Sequence, residues 1–447
     1  MHKISNKVLL VSIVLLMVFI TACGVEKDLT IFVASDIHYL DKDLYDGGEA
    51  FQKYIENANG RNFLYIDEVV DAFAYEIENK KSDILIISGD LTNNGEKKSH
   101  LKLAEKLKKL EGSSGTKVFV IPGNHDIDNP WARGFEDSKQ VLTDNISPED
   151  FEEIYRDFGY NEAISRDEST LSYLVAASDD LWLLMLDTNN YASNSELGMP
   201  TTNGSILDET QDWIEKCSKM ANENNAKIVT VMHHNLLKHS EMMYFGYTLD
   251  NYKKILELFE KLGFDLNFSG HIHAQDIKSY NYENGTIYDV ATGTMSTYPA
   301  RYAVLTYRPD KGFKYDTTSV DVEKWARSTG QTDANVLNFN EYSKGLYAES
   351  AFKKAYDRLA GLESYSEEEK VEMAKTMAII STARFGGDTQ SIREEVMKSK
   401  GYELWVNASD DVPNKSRVMS IVNSSNDGSN ANNSDYDNNH LEIPIKR

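Results

Sequence analysis

The sequence predicts an α/β domain followed by a smaller helical one, and three observations carry that prediction. Apolar runs rich in Ile, Val and Leu alternate with amphipathic helical stretches over residues 30–320. Short motifs of His, Asp and Asn follow several of those runs, at the strand ends where open α/β sheets gather ligands. Past Val320 the apolar spacing becomes that of helices. With 447 residues and 41% hydrophobic content, the chain can bury a large core and a small one.

The chain begins with Lys3 and Lys7, an apolar run over residues 8–20, and Thr21-Ala22-Cys23-Gly24. That run is short for a bilayer span and has the layout of a secretory signal. Small residues before a cysteine resemble a bacterial lipobox, which makes Cys23 the expected lipidation site. Two acyl chains there would tether the mature protein to the cell membrane on its extracytoplasmic side. The competing readings are an uncleaved signal anchor and a cleaved signal with Cys23 unmodified. The expected order is a signal peptide over 1–22, a tether over 23–28, an α/β domain over 29–322, a helical domain over 323–415 and a low-complexity tail over 416–447.

Residues 30–35, 83–88 and 117–121 read as the first three strands, each ending at a motif. Residues 181–186, 227–232, 264–268 and 286–291 read as later strands, and 302–307 with 313–318 as a hairpin closed at Pro309-Asp310-Lys311-Gly312. Two long connections stand out. Residues 40–61 read as a loop-rich insertion ahead of a helix over 67–79; residues 128–170, with Pro130 and Trp131, are a second stretch able to cover a substrate. In the C-terminal part, Ser366 and Glu369 form a capping-box signature whose helix ends at Gly386-Gly387, and residues 348–360 and 391–398 have similar spacing. No catalytic residue declares itself there; walling an active site and mediating assembly are the two uses that fit. Residues 423–439 are mostly Ser, Asn and Asp, a composition too polar to order itself.

A formal charge of −24 and the lack of a Lys/Arg block argue against a nucleic-acid-coating surface. An anionic substrate is still allowed, because bound cations reverse the local field. Two cysteines, Cys23 and Cys217, exclude a disulfide framework and a thiolate-rich metal site. Cys217 reads as a lone thiol without an activating partner.

Asp36-Ile37-His38, Gly89-Asp90, Gly123-Asn124-His125-Asp126, His233 and Gly270-His271-Ile272-His273 recur in that order, each after a strand-like run, and hold five of the ten histidines. Alone, Asp36 with His38 fits a solvated loop pair, and Asn124 with Asp126 an ordinary turn. Together they form a nitrogen and oxygen ligand set that suits two transition-metal ions such as Mn, Fe, Zn or Co and is too rich in histidine for Ca or Mg. A carboxylate such as Asp90 can bridge two cations, with Gly89 leaving room for the approach. Two cations of this kind lower the pKa of a bridging water and neutralise phosphate oxygens, which is the chemistry of phosphoester hydrolysis. His234 reads as a residue that packs or meets solvent, His239 and His100 as surface residues, and Asp187 as a turn or cap. Tyr298, Pro299 and Arg301 are candidates for a pocket wall.

The full set resembles the calcineurin-like metallophosphoesterase superfamily, and its order is similar to that of class III cyclic-nucleotide phosphodiesterases, over about residues 29–319. The resemblance implies a two-sheet β-sandwich flanked by helices. It places Asp36, His38, Asp90 and His273 on one metal and Asp90, Asn124, His233 and His271 on the other. It makes His125 a phosphate contact or acid, with Asn124 also near substrate. Protein phosphatases of the superfamily carry a carboxylate three residues after the bridging Asp, where this chain has Asn93. The expected activity is hydrolysis of a small phosphodiester, cyclic nucleotides first. The alternatives are a phosphomonoesterase or nucleotidase and a non-catalytic metal-binding scaffold.

Overall fold

In the computed structural model, which describes residues 28–240, 245–423 and 437–445, the strands form two main sheets. The signal sequence, Cys23 and most of the Ser/Asn/Asp-rich stretch lie outside the described residues. The first sheet has six strands in the order His440–Pro444, Gly312–Ser319, Arg301–Arg308, Leu29–Ala34, Ile84–Ser88 and Lys117–Ile121. Its last three are parallel, with Ile31 opposite Ile84 and Ile84 opposite Lys117. The second has seven, in the order Asp276–Tyr282, Gly285–Ala291, Leu266–Ser269, Lys227–Met232, Leu181–Leu186, Tyr173–Ala176 and Ser165–Arg166. Its central four strands are also parallel.

Composition explains this arrangement. Ile84–Ser88 and Leu181–Leu186 are buried at every position, as parallel strands covered on both faces must be. Ile31, Val33, Ile86 and Val120 of the first sheet share one core with Leu183, Val229 and Phe268 of the second, so the sheets are stacked face to face. Helices Asp208–Glu223 and Tyr252–Leu262 cover the outer face of the second sheet through Trp213, Ile214 and Phe259. The fold is therefore the expected α/β two-sheet sandwich flanked by helices, followed by a distinct helical region.

That region contains Phe339–Leu359, Glu367–Phe385, Thr389–Met397, Lys400–Asn407 and Lys415–Asn423, packed on a core of its own around Met373, Ile380, Trp405 and Val418. The Ser366 and Glu369 capping box forms in both directions. Among the described residues no helix is long and apolar enough to cross a membrane.

Three departures from the expectation have physical reasons. The stretch expected to be low-complexity contains helix Lys415–Asn423 and strand His440–Pro444, whose Leu441 and Ile443 are buried against Gly312–Ser319. A period-two pattern five residues long was enough, because a sheet edge was available to receive it. The insertion over 40–61 holds helix Glu49–Glu56, anchored by Phe51 against Phe63 and Phe135. His100 and His239, expected at the surface, are buried: His100 between Tyr155 and the Asp126 carbonyl, His239 between Asp276 and Asp289.

Candidate metal centre

All five parallel strands that end at a motif deliver it to one place, where the two sheets present their C-terminal ends. The chain turns sharply on leaving each strand. Asp36 (φ 52°), His38 (φ 47°), Asp90 (φ 51°), His271 (φ 65°) and His273 (φ 62°) all adopt left-handed backbone, uncommon for residues with a β-carbon. Residues two apart share a face in a strand, and the sharp turn carries both Asp36 and His38 off the sheet end toward the other ligands. Gly89 (φ 95°) precedes Asp90 because a β-carbon there would collide with the ring of His233.

The ligand atoms of Asp36, His38, Asp90 and His273 lie within 4.8 Å of one another, as do those of Asp90, His233 and His271. Asn124 joins the second group, its Oδ1 3.3 Å from His233 Nε2. The structure thus brings together all seven residues singled out in the sequence, in two groups that share Asp90. One Asp90 oxygen is 3.6 Å from His38 Nε2 and the other 3.4 Å from His233 Nε2.

Hydrogen bonds behind these residues aim them. Asp36 Oδ2 accepts from Ser35 Oγ and from the His271 amide, while the buried Asp36 Oδ1 has no hydrogen-bond partner. His233 Nδ1 donates to the Ser88 carbonyl at 2.9 Å, which turns Nε2 toward Asp90. His271 Nε2 lies 3.0 Å from the Thr202 carbonyl and 2.9 Å from that of Gly246, leaving Nδ1 free. His38 and His273 approach at 3.1 Å between Nε2 atoms, a contact that suits donors to a shared cation. An unpartnered carboxylate oxygen, free imidazole nitrogens and a shared carboxylate fit a dinuclear centre.

The charges agree. Burial opposes ionisation of Asp36 and Asp90, but the imidazole beside each, His273 and His233 respectively, holds the carboxyl below its usual range. Burial, reinforced by Arg61, keeps His38 neutral, the form that ligates metal. Burial also opposes protonation of His233, yet the Asp90 carboxylate pushes that imidazole up to about 9, so a cation held at Nε2 would displace a proton.

A family model described as calcineurin-like phosphoesterase matches residues 29–275. The chain belongs to the calcineurin-like phosphoesterases. A second model, described as the C-terminal domain of cyclic nucleotide phosphodiesterase, matches residues 321–427. A Coxiella burnetii protein described as a probable cyclic nucleotide phosphodiesterase is 27% identical over 201 residues, which span 44% of this chain and 63% of the relative. Among solved structures, a dimetal phosphatase from Danio rerio aligns at 10% identity and TM-score 0.44, covering 65% of this chain and 95% of the other. A purple acid phosphatase from yellow lupin seeds aligns at 10% identity and TM-score 0.40, covering 66% and 52%.

In this calcineurin-like phosphoesterase, His125 stands edge-on to His38 with ring centroids 5.0 Å apart and lines the cavity over the ligands. Its Nδ1 lies 2.7 Å from the Asn93 carbonyl and 3.1 Å from Asn94 Oδ1, so Nε2 faces the cavity. The Asn93 side chain is turned away toward Tyr54 and Glu96. The position that carries a carboxylate in the protein phosphatases therefore orients His125 through its backbone, and the neighbouring Asn94 supplies the side-chain acceptor. Asp126 does not face His125. It accepts the amides of Leu91, Thr92 and Gly123 and ties two motif loops together.

Other expectations resolve simply. His234 is buried against Thr188 and the Thr202 carbonyl, outside both ligand groups. Asp187 accepts from the Asn189 amide and Tyr191 Oη, a turn role. Cys217 is buried, and burial pushes its thiol up to about 12, far from a nucleophile. Tyr298, Pro299 and Arg301 line a separate depression, and Arg301 pairs with Asp388.

Residues outside the motifs complete the cavity, whose volume is about 440 Å³. Trp131, from the stretch expected to cover substrate, stands 43% exposed at its rim. Arg61, at the end of the insertion, reaches His38 Nε2 at 3.2 Å. Tyr347, Ser350, Lys354 and Arg358 line it from one face of Phe339–Leu359, and Arg417 from Lys415–Asn423. Of the two uses that fitted the helical region, walling the site is the one the structure displays. For Arg61, the available sequence signal was the Asn59-Gly60 turn preceding it; for the helical residues, only a basic i, i+4 pair.

Proposed function

We propose that this calcineurin-like phosphoesterase hydrolyses small phosphodiesters, cyclic nucleotides first among them. Supporting this reading is one observation: the region resembling the C-terminal domain of cyclic nucleotide phosphodiesterase supplies a wall of the cavity over the metal ligands. Asp36, His38, Asp90 and His273 hold one metal and Asp90, Asn124, His233 and His271 the other. The pair, when bound, supplies Lewis acidity toward phosphoryl oxygens and a water of lowered pKa.

The side chains around it do the rest. His125, fixed through Nδ1, presents Nε2 to the phosphate. An arriving phosphate anion favours a second proton on that ring, which then donates to a phosphoryl or leaving oxygen. Asn124 offers its amide beside the same group. Trp131 provides an exposed indole of the kind on which a nucleobase stacks.

A second reading, a phosphomonoesterase or nucleotidase of broad specificity, is favoured by a different observation. Four basic side chains reach the cavity, more positive charge than the single negative charge of a phosphodiester calls for. The same centre serves both reactions. Metal-reconstituted protein assayed side by side on bis(4-nitrophenyl) phosphate, 4-nitrophenyl phosphate, 3′,5′-cyclic nucleotides and 5′-mononucleotides separates them. A higher kcat/KM on every monoester than on its diester partner removes the diesterase reading; no turnover of either class leaves the metal-binding scaffold.

We also propose that lipid on Cys23 tethers the enzyme to the extracytoplasmic face of the membrane. Mass spectrometry of the mature N-terminus tests this; a mature chain starting elsewhere, or an unmodified Cys23, ends it.

A further inference from the structure

The cavity holds a group of cations that the metal chemistry does not use. Arg61, Lys354, Arg358 and Arg417 line it, and in a chain of net charge −24 none of the four makes an ion pair with a carboxylate among the described residues. Arg358 donates instead to the neutral Asn414 Oδ1 at 2.6 Å. Arg61 donates toward His38, while its buried Nε has no partner. Lys354 is held below its ordinary range, by burial and then by the charges of Arg358, Arg61 and Arg417, which places the four within reach of one another's fields. Gathering like charges without counter-ions is unfavourable, and an anion bound among them reverses that sign.

Arg61 differs from the other three. It touches a candidate ligand, so the phosphate on the metals lies within its reach. Lys354 and Arg358 stand one turn apart on Phe339–Leu359, and Arg417 comes from a different helix of the same region. They form a second positive locus on another part of the wall of a cavity large enough for a nucleotide.

We infer that the substrate carries a second phosphoryl group, bound by Lys354, Arg358 and Arg417 while the first lies on the metal ligands. The inference rests on the phosphoesterase reading and narrows it to substrates with two phosphates, such as nucleoside bisphosphates, polyphosphates or dinucleotides. Lys354 and Arg358 are exposed and Arg417 is half-buried, so the contacts are charge-assisted but partly screened, and together they provide discrimination of about tenfold to a hundredfold.

The test uses the metal-loaded protein and two matched pairs: thymidine 5′-(4-nitrophenyl phosphate) and thymidine 5′-phosphate, each with and without a 3′-phosphate. In either reaction water adds to phosphorus, the bond to the leaving oxygen breaks, and that oxygen departs as 4-nitrophenolate or takes a proton as the nucleoside alcohol. The expected result is a kcat/KM at least tenfold higher with the 3′-phosphate, carried by KM. In Lys354→Met with Arg358→Met, and separately in Arg417→Met, that ratio falls toward one. A ratio near one in the wild type overturns the inference, as does a variant that loses both members of a pair alike. Inorganic pyrophosphate binding that depends on these residues while the ratio stays at one also overturns it, assigning the locus to a free anion. Turnover of none of the four compounds sinks the phosphoesterase reading itself.

Discussion

The metal-ligand floor of the cavity and its cationic wall lie side by side but are assembled differently. Every floor residue sits within four positions of a strand end, and five of the seven turn in on left-handed backbone. The wall residues come from an insertion and from two helices of the C-terminal region, and only tertiary packing brings them to the cavity. Floor side chains, the partly exposed His273 apart, are buried and cross-braced by hydrogen bonds, as a site that must hold cations at fixed distances requires. Wall side chains are less enclosed, with Lys354 and Arg358 exposed and Arg61 and Arg417 half-buried, and few hydrogen bonds brace them. The contrast sets a ligand floor built by the sheets against a cavity wall built largely by helices.

Removing the shared carboxylate is the strongest way to break that division. Asp90→Asn takes a charge from both ligand groups at once, so kcat should fall by on the order of 10³ and bound metal should drop below two per chain by elemental analysis. A loss of activity with the metal content intact would show that Asp90 does not link the two groups. Next in size is His125→Gln, which leaves every ligand in place. It should lower kcat by about 10²-fold with metal content unchanged. Metal loss in this variant would move His125 from the substrate side of the site to the ligand side.

The same contrast explains what could be read from the sequence. The parallel strands and the seven floor residues were legible because strand, turn and motif are consecutive, so residue type and spacing report the geometry directly. The strand-to-turn rule gave no warning of Arg61, Lys354, Arg358 or Arg417, whose meaning depends on which surface packs on which. The burial of His100 and His239 is illegible in sequence for a related reason: it depends on partners distant along the chain, Tyr155 for one and Asp276 with Asp289 for the other. At Asn93 the residue type misleads, because its backbone carbonyl is the atom in use.

A sharper test of the floor follows from that last point. Asn94 Oδ1 accepts from His125 Nδ1 at 3.1 Å, so Asn94→Asp places a negative charge against the ring. A carboxylate favours the imidazolium, whereas burial now holds His125 below its ordinary range, so the variant should raise it. If His125 acts as a donor, the alkaline limb of kcat/KM moves to higher pH. An unchanged limb would mean that another group controls it.

The smallest effect concerns stability in the shell that holds the floor. Burial pushes the His100 imidazole down to about 3 from an ordinary 6.5. The unfolded chain therefore binds a proton that the folded chain refuses, so stability is complete above 6.5 and is lost as the pH falls toward 3. Asp126 and Glu96, pushed up to about 7 chiefly by burial, have the opposite sign: folded protein takes their protons first, and their stabilisation fades as the pH rises from the ordinary carboxylate range to 7. A wild-type pH profile mixes the two, but a variant isolates one. His100→Gln keeps a hydrogen-bonding side chain beside Tyr155 and removes the titration. The difference in urea unfolding free energy between pH 7 and pH 5.5 should then shift by about 1 kcal/mol in favour of the variant at the lower pH. An identical pH dependence in both proteins would place His100 in contact with water, and would loosen the bracing that sets floor apart from wall.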